Sequence, residues 1–332
     1  MLFRQLEYLV ALAHERHFAR AAQACHVSQP ALSEALRKLE DELEVLLVRR
    51  GRAYEGLTPE GERIVLRAQR ILADRDALRD EVDALRTGLG GRLRIGSVPT
   101  ASGAVPLLTA PFCAAHPLAS VELSTDLRSD ELLRQVRNFE IDAGITYLPD
   151  PGADNTGDTG KPDNTGNTHG THGTHGTHDT DGLRALPLYE ERYVLLTGPA
   201  DELARHPRAT WEEASRLPLC LLEPGMQGRR VLDGVFAGLG LAPAPSVETD
   251  SVASLFAHVR TGHWASIVPY AWLHVFGVPR GMRAVPLAEP VHSAPIALVT
   301  AAREPGSVMA RALLAVARRT DVAAVLATLP EE

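Results

Sequence analysis

Apolar residues recur at helical spacing through FRQLEYLVALAH (3–14), where Phe3, Leu6, Leu9, Val10 and Ala13 share a face and predict a helix. FARAAQAC, from Phe18, predicts a second helix whose small residues permit close packing. His26-Val27-Ser28 reads as a turn. Ser28 suits an N-cap, and Pro30 falls in the first turn of a third helix, where its missing N–H costs nothing. That helix runs to about Glu42 with Leu32, Leu36 and Leu39 inward. VLLVRRGRAYEGLTP (45–59) alternates apolar and basic positions around Gly51 and Gly56, the pattern of a two-stranded wing. Thr58 then caps a long helix over 59–87, with Pro59, Glu60 and Glu62 in its first turn and Ile64, Leu66, Ile71, Leu72, Leu78, Val82 and Leu85 along it. An exposed helix of this length needs a partner, which predicts dimerisation along it. The glycine-rich GLGGR (88–92) breaks it and serves as a hinge.

From Arg92 the period changes. RLRIGSV (92–98), VELSTD (121–126) and IDAGITYL (141–148) predict strands, with SDELLRQVRNFE a helix between the last two. Strand–helix–strand alternation implies an α/β domain with a largely parallel sheet. The pattern resumes at Leu183 through ALPLYEERYVLLTG and ends on one closing helix, GSVMARALLAVARRTDVAAVL. The intervening 150–182 is low in complexity and lacks apolar residues to offset the entropy of ordering, so it predicts a disordered insertion.

Hydrophobic residues are 45% and charged residues 23% of the 332, ordinary globular composition with room for two or three domains. No apolar run approaches the ~18 residues of a membrane helix, and the N-terminus lacks a signal peptide's pattern, so a soluble cytoplasmic protein is expected. Cys25, Cys113 and Cys220 are widely spaced and read as reduced, mostly buried thiols. The net charge of −8 argues against a protein that coats nucleic acid non-specifically, while leaving a local basic patch free to read a specific site. The acid load sits mainly beyond residue 90.

FxxLEYLVALAxExxF, the SQPALS core (28–33), the LRKLE helix end and the LVRR wing leading to LTPEG (57–61) together resemble the winged helix-turn-helix of LysR-type transcriptional regulators. The remainder is similar in layout to that family's effector half, two α/β subdomains resembling a periplasmic binding protein. The fold this implies is an N-terminal winged helix-turn-helix (1–59), a linker or dimerisation helix and hinge (60–90), and a two-subdomain α/β effector-binding domain (91–332). The second subdomain would span about 191–266, with the chain crossing between subdomains near Leu188–Val194 and Ala265–Pro269. The third helix would enter a major groove with its first residues at base edges. Ser28, Gln29, Ser33 and Arg37 lie on one outer face, Gln suiting adenine and Arg guanine. Lys38, Arg49, Arg50 and Arg52 suit phosphates, with pairing of the wing arginines to Glu42 or Glu44 as the alternative. Pro30 belongs to this surface as a structural member.

The resemblance also implies a small-molecule effector in the cleft between subdomains. Candidates are Ser97, Pro99, Thr100 and Ser102 on the first side, and, across the cleft, Thr146 following the third strand with Gln227, Arg229, Thr249 and Ser251, Asp250 being more suited to capping a helix. Caps and surface ion pairs are the alternative for several of these. TGHWASIVP carries His263 and Trp264 where the family has small residues, which either shrinks the pocket or packs locally. A resemblance of 248–279 to regulators of formate dehydrogenase operons suggests formate, or another small anionic carboxylate. The partners implied are a double-stranded operator, the effector, a second chain through the linker helix, a tetramer through the effector domains, and RNA polymerase. Neither a cofactor nor a resident metal is expected. A competing reading is a metal-responsive regulator using His169, His172, His175 and His178 of the THG repeat. No hydrolase, metalloprotease or nucleotide-binding motif supports an enzyme.

Overall fold

The computed structural model describes residues 1–50, 54–148, 178–180, 182–302 and 306–327. They form two compact units, residues 1–91 with 138–140, and 92–137 with 141–332.

The first unit carries α1 (Phe3–Glu15), α2 (Phe18–Ala24), α3 (Gln29–Leu43), a hairpin of β1 (Val48–Arg50) and β2 (Tyr54–Leu57), and α4 (Pro59–Thr87). Leu6, Leu9 and Leu12 of α1 meet Ala21 and Ala22 of α2 and Leu32, Leu36 and Leu39 of α3 in one core. Spacings of three and four place each set on one helix face, and each fully buried leucine contributes about 1.5–3 kcal/mol relative to exposure. The buried Glu40 carboxylate ties the hairpin to α3 by accepting the Leu47 and Val48 N–H groups at 2.9 and 3.1 Å. Thr58 caps α4, accepting the Gly61 N–H at 2.9 Å while its hydroxyl donates to the Leu46 carbonyl at 2.6 Å. A Cβ at Gly61 would fall 2.1 Å from the Leu47 carbonyl oxygen, so LTPEG requires its glycine there. Along α4, Val65 and Ala68 join the core, whereas Ile71, Leu78, Val82 and Leu85 stay exposed.

The second unit begins with β3 (Gly90–Ser97), a 3-10 turn at Pro99–Ala104, α5 (Val105–Ala115), β4 (Leu118–Ser124), α6 (Ser129–Arg137) and β5 (Ala143–Tyr147). Then follow β6 (His178–Thr180), β7 (Leu183–Thr197), β8 (Ala209–Thr210), α7 (Trp211–Ser215), β9 (Cys220–Leu222) and α8 (Gln227–Gly238). β10 (Val247–Thr249), α9 (Val252–Arg260), β11 (Ser266–Pro269), α10 (Tyr270–Phe276), β12 (Arg283–Ala288), β13 (Ser293–Ala301), α11 (Val308–Ala317) and α12 (Val322–Ala327) complete it. The main sheet runs β4-β3-β5-β13-β7-β12-β8. It is mixed where a largely parallel sheet was expected. β3 is parallel to β5, but β13 runs antiparallel to both β5 and β7, because it enters directly from the other lobe without a crossover helix.

β7 spans both lobes. From Leu183 to Arg192 it pairs with β13; from Tyr193 to Thr197 it pairs with β11 and β12. Its alternation then divides the second lobe's core, with Leu195 packing among Trp211, Phe236 and Ile267, and Leu196 among Leu255, Val259 and Trp272.

Two other expectations change. The closing helix is two, because the Thr320 hydroxyl donates back to the Val316 carbonyl at 3.0 Å and Asp321 starts α12 by accepting the Ala324 N–H at 3.0 Å. The insertion expected to lack structure over 150–182 lies mostly outside the described residues. Its end does not lack structure: Gly182 turns with φ 73°, and His178–Thr180 pair as β6 with Leu183–Ala185. Among the described residues no helix is long and apolar enough to cross a membrane.

Candidate nucleic-acid interface and inter-lobe site

α3 divides cleanly. Leu32, Leu36 and Leu39 are buried, while Ser28, Gln29, Pro30, Arg37 and Lys38 are exposed and Ser33 is half-buried. Ser28 caps the helix, its hydroxyl accepting the Ala31 N–H at 3.4 Å. The first turn therefore offers the Gln29 amide to the outside, and Arg37 projects two turns along. Lys38 is held by Glu34 at 2.8 Å, one turn earlier. The hydrogen bond between them lowers the Glu34 pKa and raises that of Lys38. In the wing Arg49 is exposed, and among the described residues it pairs with neither Glu42 nor Glu44. The Arg50 side chain and Arg52 lie outside the described residues.

The second constellation is buried, around the segment where β7 changes lobes. Tyr189, Glu191 and Tyr193 alternate with exposed Glu190 and Arg192, so their side chains share the inner face. The Tyr193 and Tyr147 hydroxyls lie 3.3 Å apart, and Thr100 sits beside Tyr147. The Tyr189 hydroxyl donates to Glu191 Oε1 at 3.3 Å. Glu191 Oε2, Ser97 Oγ and Ser266 Oγ are buried with no hydrogen-bond partner among the described residues. Burial raises the Glu191 pKa well above the usual carboxylate range, opposed by the Tyr189 hydroxyl; burial also raises Tyr147, Tyr189 and Tyr193. α8 closes on this cluster through Gly228, where a Cβ would lie 2.5 Å from Thr100 Cγ2 and 3.1 Å from the Tyr147 hydroxyl.

Ser97, Pro99 and Thr100 are buried in the first lobe, and so is Thr146, expected across the cleft: it lies within β5, which pairs with β3, and shares a hydrogen bond with Ser129 at 3.1 Å. The Pro99 carbonyl accepts from the Trp272 indole at 3.1 Å and from the Ser102 hydroxyl at 2.8 Å. Across the cleft Gln227 opens α8, half-buried. Arg229 is 7% exposed and held by three acceptors, its Nε donating to Asp233 (2.8 Å) and its Nη1 to Glu248 (2.7 Å) and the Leu222 carbonyl (2.8 Å). Thr249 accepts the Ser251 N–H at 3.1 Å, and Ser251 caps α9. Asp250, expected as that cap, is exposed one residue too early to serve. His263 is exposed, and Trp264 packs edge-on to it and to His258 at 5.8 and 5.4 Å, a local arrangement at the end of α9.

The sequence reading missed Tyr147, Tyr189, Glu191, Tyr193 and Ser266. A signal existed in YEERY (189–193): an acid at the centre of a two-residue alternation whose outer positions are aromatic. Cys220 is buried and Cys25 half-buried, and burial raises both pKa values; Cys113 is exposed, contrary to the expectation of burial. Among the described residues no three His, Cys, Asp or Glu side chains are placed to hold a metal. His169, His172 and His175 lie outside those residues, and only the backbone of His178 lies within them.

Two family models match the chain: the bacterial regulatory helix-turn-helix of the LysR family over 3–62, and the LysR substrate-binding domain over 86–157 and 173–321. A hydrogen peroxide-inducible genes activator of Dickeya chrysanthemi is 37% identical over 149 residues, covering 45% of this chain and 48% of its own; the match thus spans about half of that relative. A full-length OxyR variant from Pseudomonas aeruginosa superposes with a TM-score of 0.72 at 26% identity, covering 98% of this chain and 97% of that one. Full-length CbnR in complex with its target DNA shares the fold, with a TM-score of 0.61 at 21% identity over 96% of this chain and all of its own. The chain belongs to the LysR family of DNA-binding transcriptional regulators, with an N-terminal helix-turn-helix, a long helix and a two-lobed effector-binding domain.

Proposed function

We propose that this regulator reads its operator through α3, with Gln29 and Arg37 at base edges, Ser28 and Ser33 beside them, and Lys38, Arg49, Arg50 and Arg52 on phosphates. The observation that carries this is the division of α3, with three leucines buried and an exposed amide and guanidinium on the opposite face. A second chain binds along α4, where Ile71, Leu78 and Leu85 recur every seventh residue and remain exposed. The effector enters between the lobes, beside Ser97, Thr100 and Thr146 and the β7 crossover. A ligand there biases one lobe arrangement over another and so controls the operator complex.

Of the candidates for holding a carboxylate effector, Arg229 is the charged one, and it already donates to two acids and a carbonyl. The name of the Dickeya relative suggests peroxide; the reactive form of a thiol is the thiolate, which burial disfavours at Cys220 and Cys25, leaving Cys113 as the exposed thiol. The test selects an operator from random duplexes with the full chain, then compares Gln29→Ala and Lys38→Ala. Gln29→Ala should relax one base position; Lys38→Ala should weaken all sequences alike. Equal loss on all sequences in both variants would remove α3 as the reading element.

A further inference from the structure

We infer that the inter-lobe site takes a small primary amine in its cationic form, with the Glu191 carboxylate as its counter-charge and the neighbouring hydroxyls as its acceptors. The inference rests on the cleft being the effector site and names the chemistry of what enters it.

Glu191 is 1% exposed, its one hydrogen bond is a 3.3 Å contact from Tyr189, and its second oxygen has no partner among the described residues. A carboxyl group left this way costs free energy that a purely structural strand would avoid with an apolar side chain. Among the described residues its surroundings are rich in hydroxyl groups, and no cation pairs with it. Tyr189 and Tyr193 flank it on β7, and Tyr147 reaches in from β5. His292, before β13, stacks on Tyr193 at 6.4 Å, and burial lowers its pKa. Glu190 and Arg192 are exposed on the opposite side of β7, and Arg229 is held by Asp233 and Glu248. Guanidinium groups do gather near the Gly225 turn, where Arg230 donates to the Gly225 carbonyl at 3.1 Å and Arg128 packs against the turn, but both are partly or fully exposed.

Position adds a second reason. Glu191 pairs with Ala294 in the first-lobe sheet, and two residues on Tyr193 pairs with Pro269 in the second. A charge neutralised here acts at the point where one strand passes between lobes.

The carboxylic acid of Glu191 meets an alkylammonium ion, an ion pair forms, and one proton leaves to solvent. Affinity for the ammonium ion therefore rises by up to tenfold per pH unit until the carboxyl ionises unaided.

The test is calorimetric titration of the full chain with methylammonium, ethylammonium, formate and acetate at pH 6 and pH 8, in two buffers of different ionisation enthalpy. Expected are saturable binding of an amine, tighter at pH 8, release of about one proton, and loss in the near-isosteric Glu191→Gln. Thr100→Val serves as a second variant lining the cleft. Binding of formate or acetate that Thr100→Val weakens and Glu191→Gln spares would overturn the amine while leaving the cleft in place. Amine binding that Glu191→Gln leaves unchanged overturns the counter-charge. No binding by any of the four overturns the amine, and an operator affinity insensitive to all four and to Thr100→Val removes the cleft as well.

Discussion

The outer face of α3 and the inner face of β7 are both polar rows set by a backbone period, and they differ in where their hydrogen bonds go. Gln29 and Arg37 on α3 are exposed, where water can satisfy their polar groups. Glu191 on β7 is buried, and among the described residues only the Tyr189 hydroxyl hydrogen-bonds to its carboxyl group. An exposed polar row costs little and carries meaning only through its pattern. A buried row is expensive, so its incomplete satisfaction is itself evidence of use.

The largest effect should come from the support of the exposed row. Gly61→Ala places a Cβ 2.1 Å from the Leu47 carbonyl oxygen, between α4 and the wing. Either α4 or the wing must shift, at a cost of about 1–3 kcal/mol. Operator affinity should fall by about a hundredfold or more by fluorescence anisotropy, because the wing and α3 share the Glu40 anchor. Retention of full affinity would mean the hairpin has no part in binding. Gln29→Ala should cost less, about 1–3 kcal/mol on the cognate site and much less on a duplex altered at the base it reads.

The buried row makes a prediction of opposite kind, about stability. The Glu191 pKa is raised in the folded chain, so above the unfolded value near ~4.3 the unfolded carboxyl has lost its proton while the folded one keeps it. Folding then takes up a proton, and stability falls as pH rises through that window, by up to about 1.4 kcal/mol per unit from this group. Glu191→Gln should flatten this slope in denaturant melts of the second unit's transition between pH 5 and pH 8, and should be the more stable form at the upper end. An unchanged slope would show that the carboxyl ionises freely, and the contrast with α3 would fail.

The same contrast explains what could be read from the chain alone. Helix periods, the Ser28 and Thr58 caps and the buried Leu32, Leu36 and Leu39 follow from local spacing, so the first unit was legible almost residue by residue. The second unit depends on pairings between distant segments. Nothing local in SAPIALVTA says that β13 runs antiparallel to β5, or that Tyr147 meets Tyr193. Arg229 looked available because its partners Glu248 and the Leu222 carbonyl come from β9, β10 and their flanks. The hydroxyls near a predicted helix start could be named from the sequence, but the buried acid of β7 near them required the fold.

The smallest effect concerns one side chain in the exposed row. Lys38 is held by Glu34 at 2.8 Å on the free helix, so a phosphate must compete with a carboxylate for it. If Lys38 leaves Glu34 on binding, Glu34→Gln should strengthen binding to all duplexes by a few-fold at low salt, with little change in discrimination. Lys38→Ala should reduce the slope of log affinity against log salt by about 0.9 per chain. The two substitutions should not add: once Lys38 is gone, Glu34→Gln should recover only the repulsion between its charge and the duplex. A double variant equal to the sum of the singles would place Lys38 and Glu34 outside the phosphate contact, and the row that reads DNA would then end at Arg37.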